Sequence, residues 1–331
     1  KAQVYYAAPR TLRLGALVRV IRDTRHDVLY LNSFFDPWFT IVPLAARRLG
    51  LLPQRPVVLA PRGEFSPGAF ALKSVKKRGF LGASRVLGLY RGVTWQASSD
   101  YEGAEIAGLM GPTAGYPRVA PNLPRFACGD PLPEPEPRAP GKALRLVFLS
   151  RITAKKNLSY ALQVLAQMPN RVKVTFTICG PLGDGRYWRE CQSLMDALPD
   201  NVTASYRQEL DPKDVVPLLA RHDLFFLPTR GENYGHVIAE SLMAGTPVLI
   251  SDQTPWRGLE ALGVGWDLPL SRPERFIESI EGVAGMSSAA YAALRRRASS
   301  YGGEINRARD ATEKNRRLFE EVLHRAPTGR P

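Results

Sequence analysis

Residues 223–250 read DLFFLPTRGENYGHVIAESLMAGTPVLI. A hydrophobic run of strand length, Asp223–Leu227, passes through a Thr229-Arg230-Gly231 turn into a helical pattern over Gly235–Ala244, and a second apolar run, Thr246–Ser251, follows at once. Strand, helix and strand joined by short turns predict a parallel βαβ unit with a right-handed crossover. The helix is expected to start near Tyr234 or Gly235, leaving Glu232 in the strand-to-helix loop and Glu240 inside the helix. At about 3.6 residues per turn, an acid in the second turn can face the same crevice as a loop acid just before the helix. The two carboxylates are therefore expected to converge. The helix N-terminus they frame offers unpaired backbone N–H groups and a positive dipole end, a seat for a phosphate-bearing ligand. Two glutamates eight residues apart also arise by chance on a solvated helix face. The apolar run and turn before Glu232, and the tight closure at Ala244-Gly245-Thr246-Pro247, favour the functional reading.

The alternation extends on both sides. Arg145–Ser150, Val172–Cys179 and Val202–Tyr206 read as strands, and Leu158–Met168, Arg186–Leu198 and Lys213–Arg221 as helices; after Trp266 the pattern is helical to the end, including Asp310–Leu323. Upstream, strands fit Val28–Leu31, Pro56–Ala60, Val93–Ala97 and Arg118–Ala120, with helices near Leu12–Asp23, Trp38–Leu49, Ala69–Tyr90 and Asp100–Leu109. Between the halves, Pro131–Gly141 (PLPEPEPRAPG) carries five prolines and suits a semi-rigid linker. The class is α/β, with two domains of parallel sheet covered by helices on both faces and the ligand crevice at the carboxyl ends of the strands. The domains are expected at 1–138 and 142–305, with 306–326 a C-terminal helix that can pack back on the first and a frayed tail, Arg325–Pro331.

The 331 residues, 44% hydrophobic and 23% charged, fit two globular domains rather than a disordered or disulfide-framed chain. No apolar run reaches the roughly 18 residues of a spanning helix, and the Lys1-Ala2-Gln3 start lacks a signal peptide's apolar core. Three cysteines without CxxC spacing (Cys128, Cys179, Cys191) argue against structural zinc and for a reducing, cytoplasmic setting. The net charge is +14, and residues 1–140 hold 19 Lys and Arg against 10 Asp and Glu. Such a field favours nucleic acid, a phospholipid surface or phosphate-bearing small molecules, unless the 35 arginines are simply compositional. No RNP, KH or helix-turn-helix signature supports nucleic acid. The Gly180–Gly185 cluster has the wrong spacing for a GxGxxG fingerprint, no Walker A sequence occurs, and Asp184 most simply belongs to a turn. Lys73–Arg91 joins six cations to Phe80, Leu81, Val86, Leu87, Leu89 and Tyr90, a composition that fits either a helix on an anionic bilayer or a core helix with a basic solvated face. His26, His222 and His324 stand outside any metal-ligand spacing.

Glu232-x7-Glu240, with Asn233-Tyr234-Gly235-His236 between the acids, resembles the E-x7-E motif of the retaining family 4 (group 1) glycosyltransferases of GT-B fold, which have two Rossmann-like domains. The match extends to Phe148-Leu149-Ser150-Arg151 with Lys155-Lys156-Asn157, similar to the family's strand–Gly-Arg segment and its lysine. It takes in Ile178-Cys179-Gly180-Pro181, similar to the strand–Gly-Pro turn, Ser251–Trp256 (SDQTPW), and Pro121-Asn122 before the linker. It covers most of residues 55–270. The resemblance implies transfer from a UDP- or GDP-linked sugar to a polysaccharide precursor, lipid-linked sugar or other hydroxyl acceptor, with no cofactor and no metal. Arg151 and Lys156 would contact the diphosphate, where preorganised cations stabilise the leaving group. Glu232 would reach the sugar hydroxyls and Glu240 the ribose, with Gly180, Asn233, Tyr234, Gly235 and His236 lining the donor site. His236 either donates to a phosphate or caps packing.

Two departures stand out. The family's opening strand and glycine-rich loop have no counterpart before Tyr5, so the first domain is expected to lack them. Arg62, in Ala60-Pro61-Arg62-Gly63-Glu64, stands where many members carry a histidine; it cannot accept a proton at neutral pH, so its role is electrostatic, on acceptor or phosphate, or else structural. Retaining members need no dedicated protein base, unlike glycosidases, whose paired carboxylates act as acid and nucleophile or base. Hydrolysis, a GT-B-like sugar-nucleotide epimerase or phosphorylase, and a basic nucleic-acid-binding protein are the alternatives.

Overall fold

The computed structural model describes residue 4 and residues 14–66, 74–123, 142–208, 210–307 and 310–324. The linker Pro131–Gly141, the tail Arg325–Pro331, Cys128, Lys73 and the first turns of the helices expected from Leu12 and Ala69 lie outside these residues. The chain divides into two compact units, one of residues 1–122 with 311–331 and the other of residues 123–310. Among the described residues no helix is long and apolar enough to cross a membrane.

In the first unit β1 (Leu29–Asn32), β2 (Val57–Ala60), β3 (Val93–Ala97) and β4 (Arg118–Val119) form a parallel sheet in that order. One face packs Leu59 and Trp95 with Phe34, Phe65 and Tyr90. The other packs Val58 and Ala120 against Leu318 and Val322 of the helix Asp310–His324. Burial on both faces explains why these strands read as continuous apolar runs. Between the sheet and the C-terminal helix, Gln96 accepts from the Tyr30 hydroxyl (2.5 Å) and donates to the Ala120 carbonyl (2.9 Å), and the Asn315 amide donates to the Pro121 carbonyl (2.8 Å).

Two helices of this unit differ from expectation. The one expected over Trp38–Leu49 is a π-helical turn, Pro37–Ile41, followed by an α-helix, Val42–Arg48. Asp36 caps the first by accepting from the backbone N–H groups of Trp38 and Phe39, and the two prolines, Pro37 and Pro43, each open a segment because neither has an N–H to give. The one expected to reach Tyr90 spans Ser74–Val86, and Gly88 at φ +58° turns the chain away.

In the second unit β5 (Leu144–Leu149), β6 (Val174–Cys179), β7 (Val202–Arg207), β8 (Leu224–Leu227), β9 (Val248–Ser251) and β10 (Gly265–Leu268) form a six-stranded parallel sheet. Its order, β10-β9-β8-β5-β6-β7, reverses direction between β5 and β8, which makes their carboxyl ends the topological switch point. The strand β10 corrects the expectation of helix beyond Trp266. It pairs with β9 from Gly265↔Val248 to Leu268↔Ser251, and a Cβ on Gly265 would stand 2.2 Å from the Val248 carbonyl oxygen. Four residues that include Gly and Asp carry little strand propensity; the neighbouring edge, not local preference, makes them a strand. Asp184, read as a turn residue, caps the helix Gly185–Asp196 by accepting from the N–H groups of Arg186 and Tyr187. His222 is buried and satisfied, its Nδ1 donating to the Leu218 carbonyl and its Nε2 accepting from the Thr177 hydroxyl, and burial pushes its pKa down.

The helix Ser288–Arg307 lies along the helix His236–Met243, and Gly302 makes the contact. A Cβ there would meet the backbone N of Met243 at 2.4 Å and the Leu242 carbonyl carbon at 2.5 Å, and backbone atoms cannot turn aside as a side chain can. Gly302→Ala is expected to destabilise the second unit by about 1–3 kcal/mol by overpacking, read as a lower denaturation midpoint; an unchanged midpoint would contradict this packing.

Candidate functional site

The switch point gathers four loops of the second unit, those after β5, β6, β8 and β9. The first two are laced together. Ile152 and Leu182 form an isolated parallel bridge, the Ile152 N–H donates to the Pro181 carbonyl (2.9 Å), and the Gly183 N–H donates to the Ile152 carbonyl (3.1 Å). Gly180, at φ +133°, makes this approach possible: a Cβ there would sit 2.1 Å from the Ser150 carbonyl oxygen. Arg151 stands exposed at the head of the same loop.

The loops after β5 and β8 meet through the side chains that matter most. The Lys156 ammonium donates to the Glu232 carboxylate, in an ion pair whose side chains keep 20% and 14% of their exposure. Screening is reduced there, yet a ligand can still reach both groups. Beneath the pair, the Arg230 N–H donates to the Lys155 carbonyl (2.8 Å), and Asn157 bonds with both the Pro228 carbonyl and the Arg230 side chain. The Glu232 N–H donates to the Gln253 carbonyl (2.9 Å), which ties in the loop after β9.

Gly235 is the N-cap of the helix His236–Met243, which starts one residue after the later of the two expected positions, and no side chain caps that end. A Cβ on Gly235 would lie 3.1 Å from Glu232 Cγ, which places the stem of Glu232 against the helix start. Tyr234 and His236 bring their rings 4.9 Å apart, and the Trp256 indole donates to the Tyr234 carbonyl. Burial raises the Tyr234 pKa. Asn233 is half-buried. Glu240 sits in the second turn at 3% exposure and is not on a solvated helix face.

Arg62 belongs to the first unit. At φ +57° it extends its guanidinium to Asn32 (3.0 Å), to the Tyr30 hydroxyl (2.8 Å) and to Asn122, bracing the ends of β1 and β2 and the segment after β4. Its three partners account for most of its donors, the geometry of a brace. The adjacent Glu64 accepts from the Ser33 hydroxyl and from the N–H groups of Phe34 and Phe35.

Burial pushes the thiols of Cys179 and Cys191 up to about 11, so neither supplies a thiolate at neutral pH. The residues that sequence reasoning left unassigned in the site are Asn157, Thr229, Arg230 and Gln253. Asn157 had one local signal, an asparagine between a loop lysine and a helical pattern, where a left-handed residue suits.

Residues 134–300 match the family model described as glycosyl transferases group 1. The chain belongs to the group 1 glycosyltransferases. Solved structures agree on the fold. HepE of Anabaena in complex with UDP-glucose aligns with a TM-score of 0.70 at 18% identity, over 94% of this chain and 82% of that one. Sucrose-phosphate synthase of Thermosynechococcus elongatus aligns with a TM-score of 0.68 at 15% identity, over 90% and 74%. An α,α-trehalose-phosphate synthase (UDP-forming) of Burkholderia vietnamiensis aligns with a TM-score of 0.66 at 11% identity, over 94% and 78%. No curated protein matches the chain. The two parallel α/β units of this group 1 glycosyltransferase are those of the GT-B class.

Removing one partner of a half-buried pair strands the other charge, whereas removing both does not. Lys156→Met is therefore expected to cost about 1–3 kcal/mol of stability, and Lys156→Met/Glu232→Gln to recover most of it. Equal losses in single and double variants, measured by denaturation, would contradict a coupled pair.

Proposed function

We propose that this glycosyltransferase is a retaining, family 4 type enzyme that moves a sugar from a nucleoside diphosphate to a hydroxyl acceptor. The observation that carries the reading is the pairing of Lys156 with Glu232 at the switch point, a cation and a carboxylate held ready for a ligand that has both phosphates and hydroxyls. Arg151 and Lys156 take the diphosphate, whose negative charge grows as the glycosidic bond breaks, so fixed cations lower the barrier without a metal. The uncapped start of the helix His236–Met243 adds backbone donors for the same phosphates.

Glu232 gives up the ammonium as the phosphates claim it and accepts hydrogen bonds from the donor sugar's hydroxyls. Glu240 accepts from the ribose, and Gly180, Asn233, Tyr234, Gly235 and His236 line the donor. A carboxylate already seated on an ammonium has lone pairs left to accept from a ligand's hydroxyls, which supports a binding role. The UDP-glucose bound to HepE and the UDP-forming synthase favour a uridine donor.

The acceptor we assign is a lipid-linked sugar or polysaccharide precursor, met at the cytoplasmic face of a membrane. Supporting this, the helix Ser74–Val86 exposes Val75 (83%) and Val86 (89%) beside Lys76, Arg78 and Arg85, with Leu87 exposed just after it. Apolar side chains among cations suit the headgroup layer of an anionic bilayer.

Three measurements test these roles. UDP should raise the melting temperature by mass action, and Glu232→Gln should lower turnover about 100-fold while UDP affinity holds or rises because Lys156 is released. Full activity of that variant would overturn the role of Glu232. In sedimentation with phosphatidylglycerol vesicles, K76A/R78A/R85A should weaken binding roughly 100-fold, at about 1 kcal/mol per cation; unchanged binding would remove the membrane assignment.

A further inference from the structure

Asn157 is one of three described non-glycine residues with positive φ, at +62°, and it is buried to 1% exposure between the loops after β5 and β8. An asparagine tolerates this conformation better than other side chains, and burying its amide requires that both ends be satisfied. They are. Its Nδ2 donates to the Pro228 carbonyl at 2.9 Å, and its Oδ1 accepts from Arg230 Nε at 3.2 Å. Pro228 and Arg230 lie in the loop that ends at Glu232, whereas Asn157 immediately follows Lys156. One side chain therefore fastens the segment carrying the cation to the segment carrying the carboxylate.

We propose, on the donor-site reading above, that Asn157 is a positioning residue that holds Lys156 toward Glu232 and the donor diphosphate. It acts through its neighbour and touches no substrate. The left-handed turn at Asn157 ends the loop and starts the helix Leu158–Leu165, so it sets the direction in which the preceding residue leaves the backbone. The clamp to the loop after β8 fixes that turn relative to Glu232. An ammonium on a four-carbon stem has many rotamers, and holding its origin removes part of the entropy that phosphate binding would otherwise cost. Arg230, an exposed residue, is anchored by the same Oδ1.

The test is a cycle of four proteins: the unaltered chain, Asn157→Gly, Lys156→Ala and the double variant, each titrated with UDP by calorimetry. Glycine adopts φ +62° without strain and removes only the side-chain clamp. The backbone bonds from Asn157 N–H to the Thr153 carbonyl and from Arg230 N–H to the Lys155 carbonyl do not depend on it. Asn157→Gly should weaken UDP binding about tenfold in the unaltered chain and less than about twofold when Lys156 is already alanine, because a residue that acts through Lys156 has nothing to act on without it. The same loss in both backgrounds, or no loss in either, would overturn the proposal.

Asn157→Asp is carried through the same cycle. It keeps the shape and an acceptor for Arg230 but sets a carboxylate oxygen against the Pro228 carbonyl, so it should weaken UDP binding at least as much as the glycine variant; parental affinity would likewise overturn the clamp. If the unaltered chain binds neither UDP nor GDP, the donor-site reading itself fails, an outcome distinct from a failure of Asn157.

Discussion

The pairing of β5 with β8 is the contact on which the site depends. Leu146 lies opposite Leu224 and Val147 opposite Phe225, so two strands nearly eighty residues apart in sequence run side by side and deliver their following loops to one place. In a parallel sheet every connection must cross over, and successive strands here spread to one side of β5 as far as β7 and then to the other from β8 to β10. That reversal leaves a crevice with no crossover helix above it. Lys156 and Glu232 meet there because both strands are held in register by side chains that are fully buried, Phe148, Phe225 and Phe226 among them.

The charges of the second unit fall into two kinds by what satisfies them. Asp223, fully buried, accepts from the Arg145 backbone N–H and guanidinium, its own carbonyl accepts from the Tyr291 hydroxyl, and Arg295 donates to the His222 and Ala220 carbonyls. This network lies at the start of β8, at the opposite end of the strand from the switch-point loops. A buried charge that is fully bonded contributes a unique arrangement more than binding capacity. The Lys156–Glu232 pair lies instead at the carboxyl ends of the strands, and an ammonium has three donors of which one carboxylate oxygen takes one. The same distinction separates the two cations singled out in loops after strands: Arg62 is a brace inside the first unit, whereas Arg151 stands exposed at the site.

Much of the fold was legible because parallel sheets buried on both faces write themselves as short apolar runs. LFFL at 224–227 and VLIS at 248–251 are fully buried, and their boundaries in the structure lie within two residues of those read from the pattern. Where the reading failed, local preference and tertiary context disagreed. GWDL at 265–268 has a weak strand signal and becomes a strand because the edge of β9 is open to it. The run from Trp38 to Leu49 has a continuous helical pattern, yet Pro43 inside it has no N–H to give, and the run becomes a π-helical turn followed by an α-helix.

The sequence by itself determined the α/β class, the strand-to-helix loop that carries Glu232, and the helix that carries Glu240. Each of these follows from periodicity or backbone sterics within a few residues, which is information a linear chain contains. Only the tertiary structure decided that Lys156 faces Glu232, that Asn157 joins their loops, and that Arg62 is tied to Asn32, Tyr30 and Asn122. Those contacts join residues thirty to seventy-six positions apart, and no local propensity records which distant donor a buried acceptor will find once the sheet has set the register.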